Sequence, residues 1–130
     1  MKNTTVLDTN VILRYLLNDH PKYFQIASAF MQTIKCGEAI AYVPESVLAE
    51  CVYVLLKVYK VPKSKVCDIL IQFLKYQGIN QENSSVLLDS LVLFSDHNVD
   101  IVDAIVYATA RHHKWELVSF DKDFQKFLRK

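Results

Sequence analysis

The chain has 130 residues, 52% of them hydrophobic, and a formal net charge of +1. That size and composition suit one domain, residues 1–130, with a buried core, and exclude disorder and any global electrostatic attraction to nucleic acid, which would have to rest on local basic patches. Cys36, Cys51 and Cys67 stand far apart without a CxxC pair, which argues against a disulfide framework or a cysteine zinc site and leaves them as small buried thiols.

In chain order, TTVLDTNVILRYLL opens with a β-branched run, residues 4 to 8, that reads as a buried strand. Val11, Ile12, Tyr15 and Leu16 then recur at helical spacing and predict a helix near 10 to 18. Thr9 or Asn10 at the junction can cap that helix, which leaves Asp8 unexplained. A helix near 22 to 36 follows, then a short strand near 40 to 43 (IAYV) and a helix near 45 to 59. The pattern continues with a helix near 63 to 77, an extended piece near 79 to 82, and helices near 84 to 97 and 100 to 113. A strand near 116 to 120 (ELVSF) and a last helix near 122 to 128 complete it.

Pro21, Pro44 and Pro62 stand near helix starts, and Gly37 and Gly78 follow helix ends. Short apolar strands separated by helices imply an α/β fold with a short central parallel sheet flanked by helices. With only two glycines, the chain has no phosphate-binding P-loop and no GxGxxG dinucleotide turn. It shows no signal-peptide pattern and no apolar run near the ~20 residues that span a bilayer, so a cytoplasmic protein without a membrane partner is expected.

Four carboxylates draw attention by position. Asp8 and Asp121 each follow a predicted strand, and the carboxyl ends of parallel strands share one edge, where ligands bind in such folds. Glu50 lies beside the apolar stripe of Leu48, Cys51, Val52, Leu55 and Leu56, among residues that avoid water, whereas Glu45 falls in the first turn, where the helix dipole favours it. Asp100 and Asp103 are three apart on one helix face; Asp100 reads as a cap, and Asp103, one turn inside, as the site candidate. Carboxylates gathered in a cleft repel one another, and a divalent cation relieves the repulsion. All-oxygen donors favour Mg2+ or Mn2+ over zinc, and such an ion suits phosphodiester hydrolysis.

LDTNVILRYLL, VPESVLAECVYVL, VDIVDAIVYATARHH and VSFDKDF, in this order and over nearly the whole chain, resemble a PIN domain, and in particular the VapC-type ribonuclease toxins of toxin–antitoxin pairs. The resemblance implies a three-layer PIN-like α/β fold and a Mg2+- or Mn2+-dependent endoribonuclease. It implies that Asp8, Glu50, Asp103 and Asp121 are catalytic and hold the metal, with Asn10 and Ser119 in support. It also implies an RNA substrate, a cognate antitoxin and homodimerisation. Asp123 reads as a first-turn helix residue that could hold a coordinating water.

Arg14, Arg111, His112, His113 and Lys114 are candidates for RNA phosphate contacts or for a solvated helix end, and Tyr15, Leu16, Tyr23 and Phe24 for a protein contact. Three readings compete with the toxin: a PIN-domain RNase without antitoxin, an inactive PIN-fold interaction module, and a receiver-like phosphoacceptor. The last requires a lysine at the end of the final strand, where this chain has Ser119-Phe120-Asp121.

Overall fold

A computed structural model describes residues 3–128. Strand β1 (Thr4–Val6) leads into α1 (Thr9–Leu17) and α2 (Pro21–Lys35), and β2 (Ile40–Tyr42) into α3 (Glu45–Lys57). Helices α4 (Lys63–Leu74), α5 (Gln81–Asp96) and α6 (Ile101–His113) follow, and a 3-10 helix covers Lys122–Leu128. The result is a mostly helical α/β fold around a short parallel sheet.

The two strands pair with Thr4 opposite Ile40, Thr5 opposite Ala41 and Val6 opposite Tyr42, and Leu7 N extends the ladder to Tyr42 O at 3.0 Å. The extended piece expected near 79 to 82 contracts to one bridge between Ala41 and Ile79. Its physical reason is Asn80, whose side chain accepts from Asn83 N at 3.0 Å and starts α5 three residues earlier than the apolar pattern suggests.

The expected strand at 116 to 120 does not form. Ser119 Oγ accepts from Asp121 N at 2.9 Å and Asp121 Oδ1 from Asp123 N at 2.8 Å, so local turns take the hydrogen bonds a ladder would use. Val118 and Phe120 are exposed. Strand β1 is likewise exposed along Thr4–Val6, with Leu7 the first buried residue, because among the described residues it has a strand partner on one edge only.

The core is built from helix stripes. Leu48, Cys51, Val52 and Leu55 are the buried face of α3, and Val66, Cys67, Leu70, Phe73 and Leu74 that of α4. Helix α5 packs on α4 and α6, α1 on α2 and α3, and α3 on α4 and α6. Two buried polar side chains are paired with the backbone: Asn83 Oδ1 accepts from Val43 N at 3.0 Å, and Ser90 Oγ donates to Val86 O at 2.7 Å. Cys36 departs from expectation, since it caps α2 and is exposed.

Gly78 serves close approach. A Cβ there would stand 2.1 Å from Ala39 O and 2.7 Å from Ile34 O, because the Gly78 N–H donates to Ile34 O at 2.8 Å. Gly37 ends α2 at φ +83°, in the left-handed region. No helix among the described residues is long and apolar enough to cross a membrane.

Two substitutions test this packing by chemical denaturation. Phe73→Ala, at a fully buried site, is expected to cost about 3–5 kcal/mol. Gly78→Ala, which drives a methyl into two carbonyls, is expected to cost about 1–3 kcal/mol or more. Unchanged midpoints would contradict the packing described.

Candidate active site

Asp103 sits one turn into α6, whose buried face of Ile101, Ala104, Ile105 and Ala108 fixes the helix against α5. Asp100 is the N-cap, its Oδ1 accepting from Val102 N at 3.1 Å, as its position suggested. The chain after α6 returns to this end of the helix. The Ser119 and Asp121 turns set Asp121 and Asp123 side by side. The terminal 3-10 helix is anchored through Phe127, which stacks on Tyr107 of α6 at 4.5 Å.

In this arrangement carboxylate oxygens of Asp103, Asp121 and Asp123 all lie within 4.8 Å of one another. Asp103 is half-buried, and its carboxyl is pushed above the ordinary value by desolvation first, then by the negative charges of Asp121, Asp100 and Asp123. Lys126 Nζ, 3.2 Å from Asp123, offsets part of that charge and also donates to Asn98 O at 3.1 Å.

Asp8 and Glu50 lie outside this trio. Asp8 is the N-cap residue of α1, but its side chain makes no capping hydrogen bond. Glu50 is exposed on α3, not shielded as its apolar neighbours suggested, because it turns away from the buried stripe. Cys51, fully buried beside it, has its thiol pushed up to about 12, by burial first and then by the charges of Glu50 and Asp8. Both carboxylates thus act on one buried thiol.

Of the four acids singled out in the sequence, the structure brings Asp103 and Asp121 together and adds Asp123, while Asp8 and Glu50 lie outside this trio and each raises the Cys51 thiol by its charge. The signal for Asp123 is the DKD spacing: an Asx turn at Asp121 brings the second carboxylate back beside the first. The donor set of the trio is all carboxylate oxygen, which fits a hard divalent cation such as Mg2+ or Mn2+.

The basic candidates separate. Arg14 is occupied by its surroundings, with Nη1 3.0 Å from Asp19 Oδ2 and Nη2 donating to the Tyr59 hydroxyl at 3.3 Å. Arg111, His112, His113 and Lys114 are exposed. Of the aromatic candidates, Tyr15 turns inward, its hydroxyl 2.6 Å from that of Tyr76. Tyr23 and Ile26 are exposed, and with Val6, Val11 and Phe30 they line a groove of about 810 Å3 between β1, α1 and α2.

Comparison with known proteins gives two matches. The family model described as PIN domain matches residues 5–129. A VapC ribonuclease of Aquifex aeolicus (strain VF5) is 28% identical over 122 residues, which are 93% of this chain and 90% of that protein. No solved structure matches the chain.

Two expectations follow from the electrostatics. Because the Asp103 carboxyl lies above its ordinary 3.8 in the folded state, its contribution to stability is fully present below 3.8 and is lost as pH rises through the raised value. In EDTA, Asp103→Asn should therefore raise the melting temperature at neutral pH and leave it little changed in acid; a lower melting temperature at neutral pH would contradict the repulsion. Cys51 should resist iodoacetamide in the folded protein at mildly alkaline pH while exposed Cys36 reacts, as read by peptide mass spectrometry.

Proposed function

Because the chain belongs to the PIN domain family, we propose that it is a Mg2+- or Mn2+-dependent endoribonuclease and the toxin of a toxin–antitoxin pair. The observation that carries the reading is the trio of Asp103, Asp121 and Asp123, with Asp103 desolvated among like charges. Structural ion pairing does not account for it, since Lys126 is the one cation bonded to the trio among the described residues. The similarity to a VapC ribonuclease over most of both chains supports RNA as substrate and an antitoxin as partner.

Asp103, Asp121 and Asp123 would hold the cation, with Asp8 and Glu50 completing the acidic site. When bound, the cation polarises a phosphoryl oxygen and stabilises the charge that develops as the phosphodiester is hydrolysed. The Ser119 hydroxyl, accepting from Asp121 N at 2.9 Å, positions the turn that presents Asp121. Asp8 is available to the site because its carboxylate does not cap α1. Glu50, exposed at the same buried thiol, acts as a ligand or takes a proton at its carboxylate. The apolar groove between β1, α1 and α2 offers a surface for a protein partner, an antitoxin segment or a second subunit.

The test is RNA cleavage by the purified protein. Cleavage should require Mg2+ or Mn2+, stop in EDTA, and fall at least ~100-fold in Asp8→Asn and Asp103→Asn variants whose circular dichroism is unchanged. Equal cleavage by Asp8→Asn and the parent would remove Asp8 from the site. Growth after induced expression examines the toxin role: arrest relieved by a co-expressed antitoxin supports it, and normal growth with an active enzyme indicates an RNase without antitoxin.

A further inference from the structure

Trp115, the one tryptophan of the chain, is 64% exposed immediately after α6. It is nonetheless held in place. Its backbone N–H donates to Ala110 O at 2.8 Å, and Lys114 before it adopts a left-handed φ of 58°. Its ring stacks on His113 with centroids 4.1 Å apart and planes 16° from parallel. Attraction to the helix dipole accounts for the cations Arg111 and Lys114 at a C-terminus, but for no exposed indole beside them. Burial does not account for it either, since most of the ring faces water.

Beside the indole is a cleft of about 330 Å3 whose lining includes Val106, Thr109, Ala110 and Trp115. Its acidic groups are Glu45 and Glu116, which suit the amino groups of a base and disfavour a phosphate inside the cleft. Phosphates would instead meet the cations on the helix end. Arg111 lies over the Tyr107 ring at 5.5 Å and Lys114 directly precedes the indole, both exposed; a flat aromatic face next to exposed positive charge is the combination that recognises unpaired nucleotides.

We propose that Trp115, His113, Arg111 and Lys114 form a binding site for single-stranded RNA, in which an unpaired base stacks on the indole and the two cations hold the adjoining phosphates. The inference rests on the ribonuclease reading for its biological substrate, and it adds an anchor remote from the acidic residues. Asp103 and His113, on which the indole stacks, are ten residues apart on α6, about 15 Å along the helix axis. A substrate held at both points lies along α6. Trp115 then contributes to substrate binding and not to the chemical step.

The single tryptophan makes the test direct. The full chain in EDTA, where RNA stays intact, is titrated with a single-stranded oligoadenylate of ~12 nucleotides while indole fluorescence is read. Quenching that saturates, weakens with salt and is much smaller with duplex RNA of equal length is expected. Trp115→Ala should weaken binding about 5- to 100-fold by an independent anisotropy assay, with Trp115→Phe restoring most of it. Arg111→Gln and Lys114→Gln should each lower the salt slope by about one. In cleavage, Trp115→Ala should raise KM and leave kcat unchanged.

Binding without quenching, or Trp115→Ala with parental affinity, would overturn the proposal. Equal quenching by polyglutamate would also overturn it, in favour of an acidic protein partner. Failure of the ribonuclease reading looks different: no cleavage under any metal, with saturable quenching by the oligonucleotide intact.

Discussion

Three carboxylates held within 4.8 Å of one another are the constraint around which the C-terminal third of the chain is arranged. Like charges at that spacing repel, and Asp103 is partly desolvated as well, so the fold must supply the force that keeps them together. It does so through apolar packing elsewhere. Ile101, Ala104, Ile105 and Ala108 fix α6 against α5, and Phe127 fixes the terminal 3-10 helix against Tyr107. Such an arrangement costs stability, because the charges oppose folding where they crowd together.

The two kinds of support differ in rigidity. Asp103 rides on a helix whose inner face is buried, whereas Asp121 and Asp123 ride on turns closed by the Ser119 hydroxyl and by Asp121 itself. Asp8 and Glu50 belong to the α1 and α3 layer, where they act together on Cys51. The acidic residues therefore come from elements that are distant in sequence, and packing of α1 on α3 and of α3 on α6 relates the two groups.

Legibility from sequence followed the range of the interaction responsible. The helices were readable because Leu48, Cys51, Val52 and Leu55, or Val66, Leu70 and Phe73, repeat at the spacing that buries one face. Their ends were less so: Asn80 begins α5 by a side-chain bond that the apolar pattern does not contain. ELVSF is a short apolar run that reads as a strand, yet it has no ladder partner among the described residues and its last residues turn on local hydrogen bonds. β-pairing is a property of two segments, and apolar composition in one of them specifies only half of it. Gly78 reads as a helix stop and is in fact a contact point with two backbone carbonyls.

By itself the sequence determined the order of the helices, the parallel pairing of the strands near 4 and 40, and the places of Asp8 and Asp100 at helix starts, since all of these depend on neighbours a few residues away. The tertiary structure alone decided which acids meet. It joined Asp123 to Asp103 and Asp121, left Asp8 without a capping role, and turned Glu50 outward. The reason is that the distance between two carboxylates on different elements is set by how the cores between them pack, and no local pattern carries that distance.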